Sequence, residues 1–235
     1  MCVSYQLNLP FKDIEKNFKA KSPKTKSWDP SKLERIRPSH LVPVIALDPE
    51  TGERVIRMMN WGLPRFDPLK KKYYRFRVFN ARDENVTKYR MFKGNFQKNR
   101  ILVPVNPGFI EWQQTGSKAV TKPMFLIGMK PWKLFAFAGF WGTYTLNTET
   151  DKQIDEKGKM NSKYESSRQE YDCFTFITTT PNSVVKPIHP ERMPVILDPE
   201  NYDAWLDFKI DPEILIPLLK AFPAEKMQAK AVEKN

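Results

Sequence analysis

Near the start of the chain, apolar residues recur three and four apart among charged ones: Phe11, Ile14 and Phe18 would share one face of a helix over residues 11–20. The period then shortens. Residues 41–47 (LVPVIAL) and 53–59 (ERVIRMM) flank Asp-Pro-Glu-Thr-Gly, which predicts a hairpin in which Gly52 supplies a positive φ. Strand-like runs also cover 73–79, 123–129, 134–141, 173–180 and 193–197, while 201–208 and 212–220 read as helices. This series predicts an α+β fold, a single compact domain rich in antiparallel strands with short flanking helices. Residues 147–171 are nearly all polar or charged and predict a mobile loop joining two strands. Residues 225–235 predict a frayed tail, which leaves 1–224 as the folded domain.

Composition narrows the class. The 235 residues, 40% apolar and 13% aromatic, suit one domain large enough to bury a core and shape a cleft. Nine glycines against 20 prolines favour ordered, proline-set turns. Cys2 and Cys173 are the two cysteines and no CxxC spacing occurs, so neither a disulfide framework nor a metal site is expected, and no cofactor. No stretch approaches the ~18 apolar residues of a membrane span. We expect an intracellular monomer without membrane contact, in the cytoplasm if prokaryotic or viral and in the nucleus if eukaryotic.

The net charge of +12 is unevenly placed: residues 1–100 hold 23 Lys+Arg against 10 Asp+Glu, and residues 101–235 hold 16 against 17. The excess is densest from Arg65 to Arg100, where Lys70, Lys71, Lys72, Arg75, Arg77 and Arg82 fall among Tyr73, Tyr74, Phe76 and Phe79, followed by Lys88, Arg90, Lys93 and Lys98 among Tyr89, Phe92 and Phe96. Cations beside flat rings suit single-stranded nucleic acid, whose phosphates pair with the cations and whose bases stack on the rings for about 1–3 kcal/mol each. A solvated lysine face over core aromatics fits the same composition equally well.

Candidate chemistry begins at residue 2. Removal of Met1 would leave Cys2 with an α-amine of pKa about 7.7–8.0 beside a thiol near 8.5. Such a pair suits an aldehyde, because the amine condenses to a Schiff base and the thiolate closes a five-membered thiazolidine. Two ionisable groups also stand where the pattern looks buried: Glu111 between Ile110 and Trp112, and His189 before a proline. Either could be a catalytic group or a satisfied structural one.

Several short motifs follow one another along the chain: Met1-Cys2, Trp61-Gly62-Leu63-Pro64, Asn80-Ala81-Arg82-x-Glu84 and Pro107 to Trp112. They continue with Lys122-Pro123-x-Phe125, Phe137-Ala138-Gly139-x-Trp141, Phe176-Ile177-Thr178-Thr179-Thr180-x-Asn182, His189-x-x-Arg192-Met193-Pro194 and Trp205-Leu206. Taken together and in this order, they resemble the SOS-response-associated peptidase (SRAP) family. The resemblance implies a SRAP-like catalytic and DNA-binding domain with a basic groove leading to the N-terminal cysteine. By the same resemblance Cys2 is the covalent nucleophile, Asn80 holds the new α-amine, Glu111 transfers protons, and His189 works at the sugar ring oxygen. Arg82 would pair with a DNA phosphate, and Lys70, Lys71, Lys72, Arg75, Arg77 and Trp61 would line the DNA path.

The expected partner is single-stranded DNA containing abasic sites, and the expected outcome is a thiazolidine crosslink that protects the lesion, with self-processing of Met1. Val3 and Ser4 stand where the family commonly has Gly-Arg, and Ile101 where it commonly has cysteine. Those departures favour an alternative, a single-strand binder that does not crosslink. A further alternative is an autoprocessing cysteine peptidase.

Overall fold

The computed structural model describes residues 4–67, 69, 72–114, 122–148 and 167–232. A first extended segment, Ser4–Leu7, leads into α1 (Phe11–Phe18), whose Ile14 and Phe18 are buried and whose last turn ends on Lys19 at φ 51°. β1 (Leu41–Leu47) and β2 (Arg54–Trp61) pair in register from Leu41↔Asn60 to Leu47↔Arg54. Gly52 has φ +68° in the intervening turn, where Asp48 Oδ1 accepts from the backbone N–H of Glu50 and Thr51. This is the hairpin that alternation and turn chemistry predicted.

A two-stranded ribbon follows, β3 (Leu63–Asp67) with β4 (Lys72–Val78), then β5 (Asn80–Arg82). Helix α2 (Arg90–Lys98) was not anticipated, although Phe92 and Phe96 at i, i+4 are its buried stripe. Nor was β6 (Arg100–Val105), a fully buried run. β7 (Gly108–Trp112), β8 (Met124–Met129), β9 (Phe135–Thr148) and β10 (Ser167–Thr179) complete the long strands. The short pieces β11 (Met193–Pro194), β12 (Ile196–Leu197), α3 (Tyr202–Leu206) and α4 (Pro212–Leu215) precede β13 (Met227–Val232).

The main sheet runs β11-β10-β2-β1-β6-β9-β12, and β9 also pairs with β10, so β1, β2, β10, β9 and β6 form a closed ring of strands. Most pairings are antiparallel; β10 runs parallel to β2 and to β5. On β9 the two faces separate cleanly. Phe137 turns inward against Tyr5, Phe109 and Phe176, while Phe140 turns outward under Phe92 and Phe96. Gly139 is required between them, since a Cβ there would sit 2.8 Å from the Thr175 carbonyl oxygen.

Two expectations are corrected. The loop predicted over 147–171 is shorter at both ends, because β9 continues to Thr148 and β10 starts at Ser167, paired Ser167↔Thr148; residues 149–166 lie outside the described residues. The tail is not frayed through its length. β13 pairs with β8 from Met227↔Met129 to Val232↔Met124, and Met227 is buried. Six cross-strand pairs and one buried thioether hold a segment whose polar composition hid its period. β13, β8 and β7 make a separate three-stranded sheet.

Candidate functional site

β7 is built for close approach. A Cβ on Gly108 would lie 2.3 Å from the Ile127 carbonyl oxygen, so only glycine lets β7 and β8 pack there. Alternation then puts Glu111 on the same face as Phe109, whose ring packs against Phe137 in the core. Glu111 is 3% exposed, and its Oε1 has no hydrogen-bond partner among the described residues. Burial pushes its carboxyl up to about 7, since ionisation in this setting forfeits hydration. A carboxyl poised there can both give and take a proton near neutral pH.

The first described residues run beside this strand. Tyr5 pairs antiparallel with Phe109, and the Ile110 N–H donates to the Ser4 carbonyl at 2.8 Å. Ser4 and Tyr5 thus lie alongside Ile110 and Phe109, the two residues that precede Glu111 on β7. Cys2 itself lies outside the described residues.

Beyond Trp112 the strand meets the loop bearing His189. The Gln114 N–H donates to the Ile188 carbonyl, and the Gln113 side chain donates to the Pro187 carbonyl. His189 is 2% exposed. Its backbone N–H donates to Val185 O, in a turn whose Val184 and Val185 N–H groups both donate to Asn182 Oδ1. The Arg192 N–H donates to His189 Nδ1 at 3.2 Å, and Nε2 lies 3.0 Å from the Gln114 side-chain amide. Burial lowers the pKa of His189, so the ring is neutral at pH 7. With Nδ1 accepting from the Arg192 N–H, the single ring proton sits on Nε2, the nitrogen that faces the Gln114 side-chain amide.

The Arg192 side chain ties this loop to the segment after β5. Its guanidinium donates to Asp83 Oδ1 at 2.8 Å and to Glu84 Oε1, while Thr179 Oγ1 donates to Asp83 Oδ2 at 2.6 Å. A hydrogen bond from Asp83 and the adjacent Arg192 hold Glu84 down at about 2, whereas burial raises Asp83. Asn80, half-buried, stands at the head of β5 opposite Phe176. Two positions on, the Arg82 side chain is more than half exposed, with Glu84 Oε1 at 4.0 Å. A chain of contacts through Gln114, His189, Arg192 and Asp83 therefore joins the strand of Glu111 to the strand of Asn80 and Arg82.

The proposed DNA path is only partly retained. Trp61 is fully buried; its indole N–H donates to Phe79 O at 2.8 Å and its ring packs on Tyr5 and Phe176. It supports the floor below the site and offers no face to a base. Arg77 is exposed. Lys72 and Arg75 lie on β4, and Lys70 and Lys71 lie outside the described residues. Phe92 and Phe96 are core, and Arg100 is buried, donating to the carbonyls of Phe96, Gln97, Trp205, Asp207 and Ile210. In that half of the basic stretch the rings of Phe92 and Phe96 are core and offer no face to a base, while Lys88, Arg90, Lys93 and Lys98 are exposed.

Sequence reasoning missed Gln114, Asp83 and the role of Arg192 as a tie; the adjacent carboxylates beside Arg82 and the Gln113-Gln114 pair after an apolar strand were the available signals. Among the described residues no group of three His, Cys, Asp or Glu side chains is placed to hold a metal ion, and no helix is long and apolar enough to cross a membrane.

Comparisons with known proteins bear on this geometry. The family model described as SOS response associated peptidase (SRAP) matches residues 1–235. The abasic site processing protein YoqW of Bacillus subtilis is 33% identical over 176 residues, 74% of this chain and 67% of that protein. The abasic site processing protein HMCES of Gallus gallus is 28% identical over 179 residues, 68% of this chain but 48% of that protein. Crystal structures of proteins from Bacteroides thetaiotaomicron (TM-score 0.74, 21% identity, 99% of this chain and 92% of that one) and Bordetella bronchiseptica (0.71, 19%, 99% and 100%) share the fold.

Proposed function

Because the chain belongs to the SOS response associated peptidase family, we propose that it recognises abasic sites in single-stranded DNA and traps them covalently through Cys2 once Met1 has been removed. The observation that carries this reading is the buried carboxyl of Glu111, raised to about 7, on the strand with which Ser4 and Tyr5 pair. The names of relatives such as YoqW and HMCES support the substrate class.

In this mechanism the Cys2 α-amine attacks the aldehyde carbon of the ring-opened abasic sugar, and the carbinolamine loses water to give the imine. Glu111 in its acid form protonates the departing hydroxyl, and as carboxylate it removes a proton from nitrogen. The thiolate then adds to the imine carbon, the nitrogen takes up a proton, and a thiazolidine closes. Asn80 orients the amine. His189 presents its Nε2 proton to the sugar ring oxygen in place of Gln114, which favours the open-chain aldehyde. Arg82 holds a neighbouring phosphate as a charge-assisted hydrogen-bond donor.

A general cysteine peptidase is less well supported. That chemistry needs a histidine nitrogen free to take the thiol proton, whereas the accepting nitrogen of His189, Nδ1, already takes the Arg192 N–H and burial disfavours the charged ring. The test is a denaturing gel after incubation with an abasic single-stranded oligonucleotide. A shifted band that Cys2→Ala abolishes is expected, and a shift that persists in Cys2→Ala overturns the assignment.

A further inference from the structure

The outer face of α2 takes no part in the site just described. Its inner face is spent on packing: Phe92 and Phe96 lie 5.5 and 6.2 Å from Phe140, and Phe96 also meets Trp205 at 5.8 Å. Outside, Lys88, Tyr89, Arg90, Lys93, Gly94, Gln97 and Lys98 are exposed, Tyr89 by 55%. No acidic residue occurs between Glu84 and Glu111. The usual i, i+4 partners of surface cations are therefore missing from this helix, and none of its three exposed cations, nor Lys88 just before it, forms an ion pair among the described residues.

Gly94 is an independent observation. Glycine inside an exposed helix lowers stability relative to alanine, yet its backbone has no positive φ and a Cβ there would meet nothing within 4 Å. Neither conformation nor internal packing requires it. What glycine does offer is access to the helix backbone from outside, flanked by Lys93 and, one turn away on either side, by Arg90 and Lys98. Eight residues of helix separate Arg90 from Lys98, about 12 Å along the axis.

We propose that this face of α2 is a second nucleic-acid contact, which holds the sugar-phosphate backbone of the strand flanking the lesion across Gly94 and between Arg90, Lys93 and Lys98. The assignment rests on the abasic-site reading and extends it along the strand: Arg82, on β5, is followed by the turn at Asp83–Asn85 and, after Val86 to Tyr89, by this helix. Tyr89 adds an exposed ring at the same end, where a base can stack.

The test compares the wild-type full chain with the triple variant Arg90→Gln, Lys93→Gln, Lys98→Gln, and with Gly94→Gln. Two oligonucleotides are used: a short one centred on the abasic site and a longer one extended on both sides. The triple variant should crosslink the short oligonucleotide at the wild-type rate under saturation. It should bind the long one more weakly, with a log–log salt slope shallower by about 2, the share of three lost phosphate contacts on a single strand. Gly94→Gln should melt at a higher temperature than wild type and yet bind the long oligonucleotide more weakly, which a merely structural role for the glycine does not give. A wild-type salt slope in the triple variant together with wild-type affinity of Gly94→Gln for the long oligonucleotide overturns the α2 contact and leaves the trap standing, and would leave this face to solvent or to an acidic protein. No crosslink by wild type with either oligonucleotide removes the abasic-site reading, and this one with it.

Discussion

Replacing Glu111 with glutamine separates the chemical role of the carboxyl from its cost to the fold. Burial raises the group from an ordinary 4.5 to about 7. At 1.36 kcal/mol per pKa unit, the ionised form in the folded protein is disfavoured by about 3 kcal/mol. The native state holds this proton more tightly than the unfolded chain, so stability is greatest below pH 4.5, falls as pH rises toward 7, and levels off above it. Glutamine fills nearly the same volume and does not titrate. Urea unfolding of both proteins at pH 5 and pH 8 should therefore show Glu111→Gln gaining about 2–3 kcal/mol relative to wild type at the higher pH. Other groups titrate in both proteins and largely cancel. In the same preparations, crosslinking to abasic DNA should slow by about 10²–10⁴-fold, the range for loss of a general acid–base group. Parallel pH–stability curves for the two proteins would refute the raised pKa of the buried carboxyl, and an unaltered crosslinking rate would refute its role.

Three other outcomes follow from packing. Trp61→Ala should destabilise by about 3–5 kcal/mol in urea melts, as for other large buried aromatics, without changing the salt slope of DNA binding in the folded fraction. Arg100→Met leaves five backbone carbonyls without their donor and should cost about 3 kcal/mol or more by the same measurement; Arg100→Lys should not restore it, because three rotatable donors cannot reproduce the guanidinium fork. Ending the chain before Met227 removes the pairing with β8 and should lower the melting temperature in calorimetry, an effect absent if that segment were loose.

Where local pattern and tertiary environment agreed, the chain was legible. α1 and the hairpin of β1 and β2 needed only spacing and one glycine. β13 escaped because Met227 is its one buried apolar anchor and its order comes from β8, about a hundred residues away. Trp61 misled for a related reason: an aromatic in a motif suggests a stacking platform, but Phe79 supplies a carbonyl for its indole N–H, and once that donor is satisfied the ring can be buried outright. The stretch from Arg65 to Arg100 held two structures under one composition, a β-ribbon and an amphipathic helix, and the i, i+4 spacing of Phe92 and Phe96 was the mark that separates them.

The candidate site shows the same division. Glu111 could be singled out because a carboxylate within an apolar strand must be paired, protonated or reactive. The tie from His189 through Arg192 to Asp83 could not, since it joins residues more than a hundred positions apart. The fixed tautomer of His189 depends on a backbone N–H, which carries no sequence signature at all.

Intact mass of the protein–DNA adduct tests the covalent trap most directly. The account predicts a species equal to the chain without Met1 plus the abasic oligonucleotide less one water, formed by wild type and absent for Cys2→Ala. An adduct that retains Met1, or that forms unchanged without the Cys2 thiol, would contradict it.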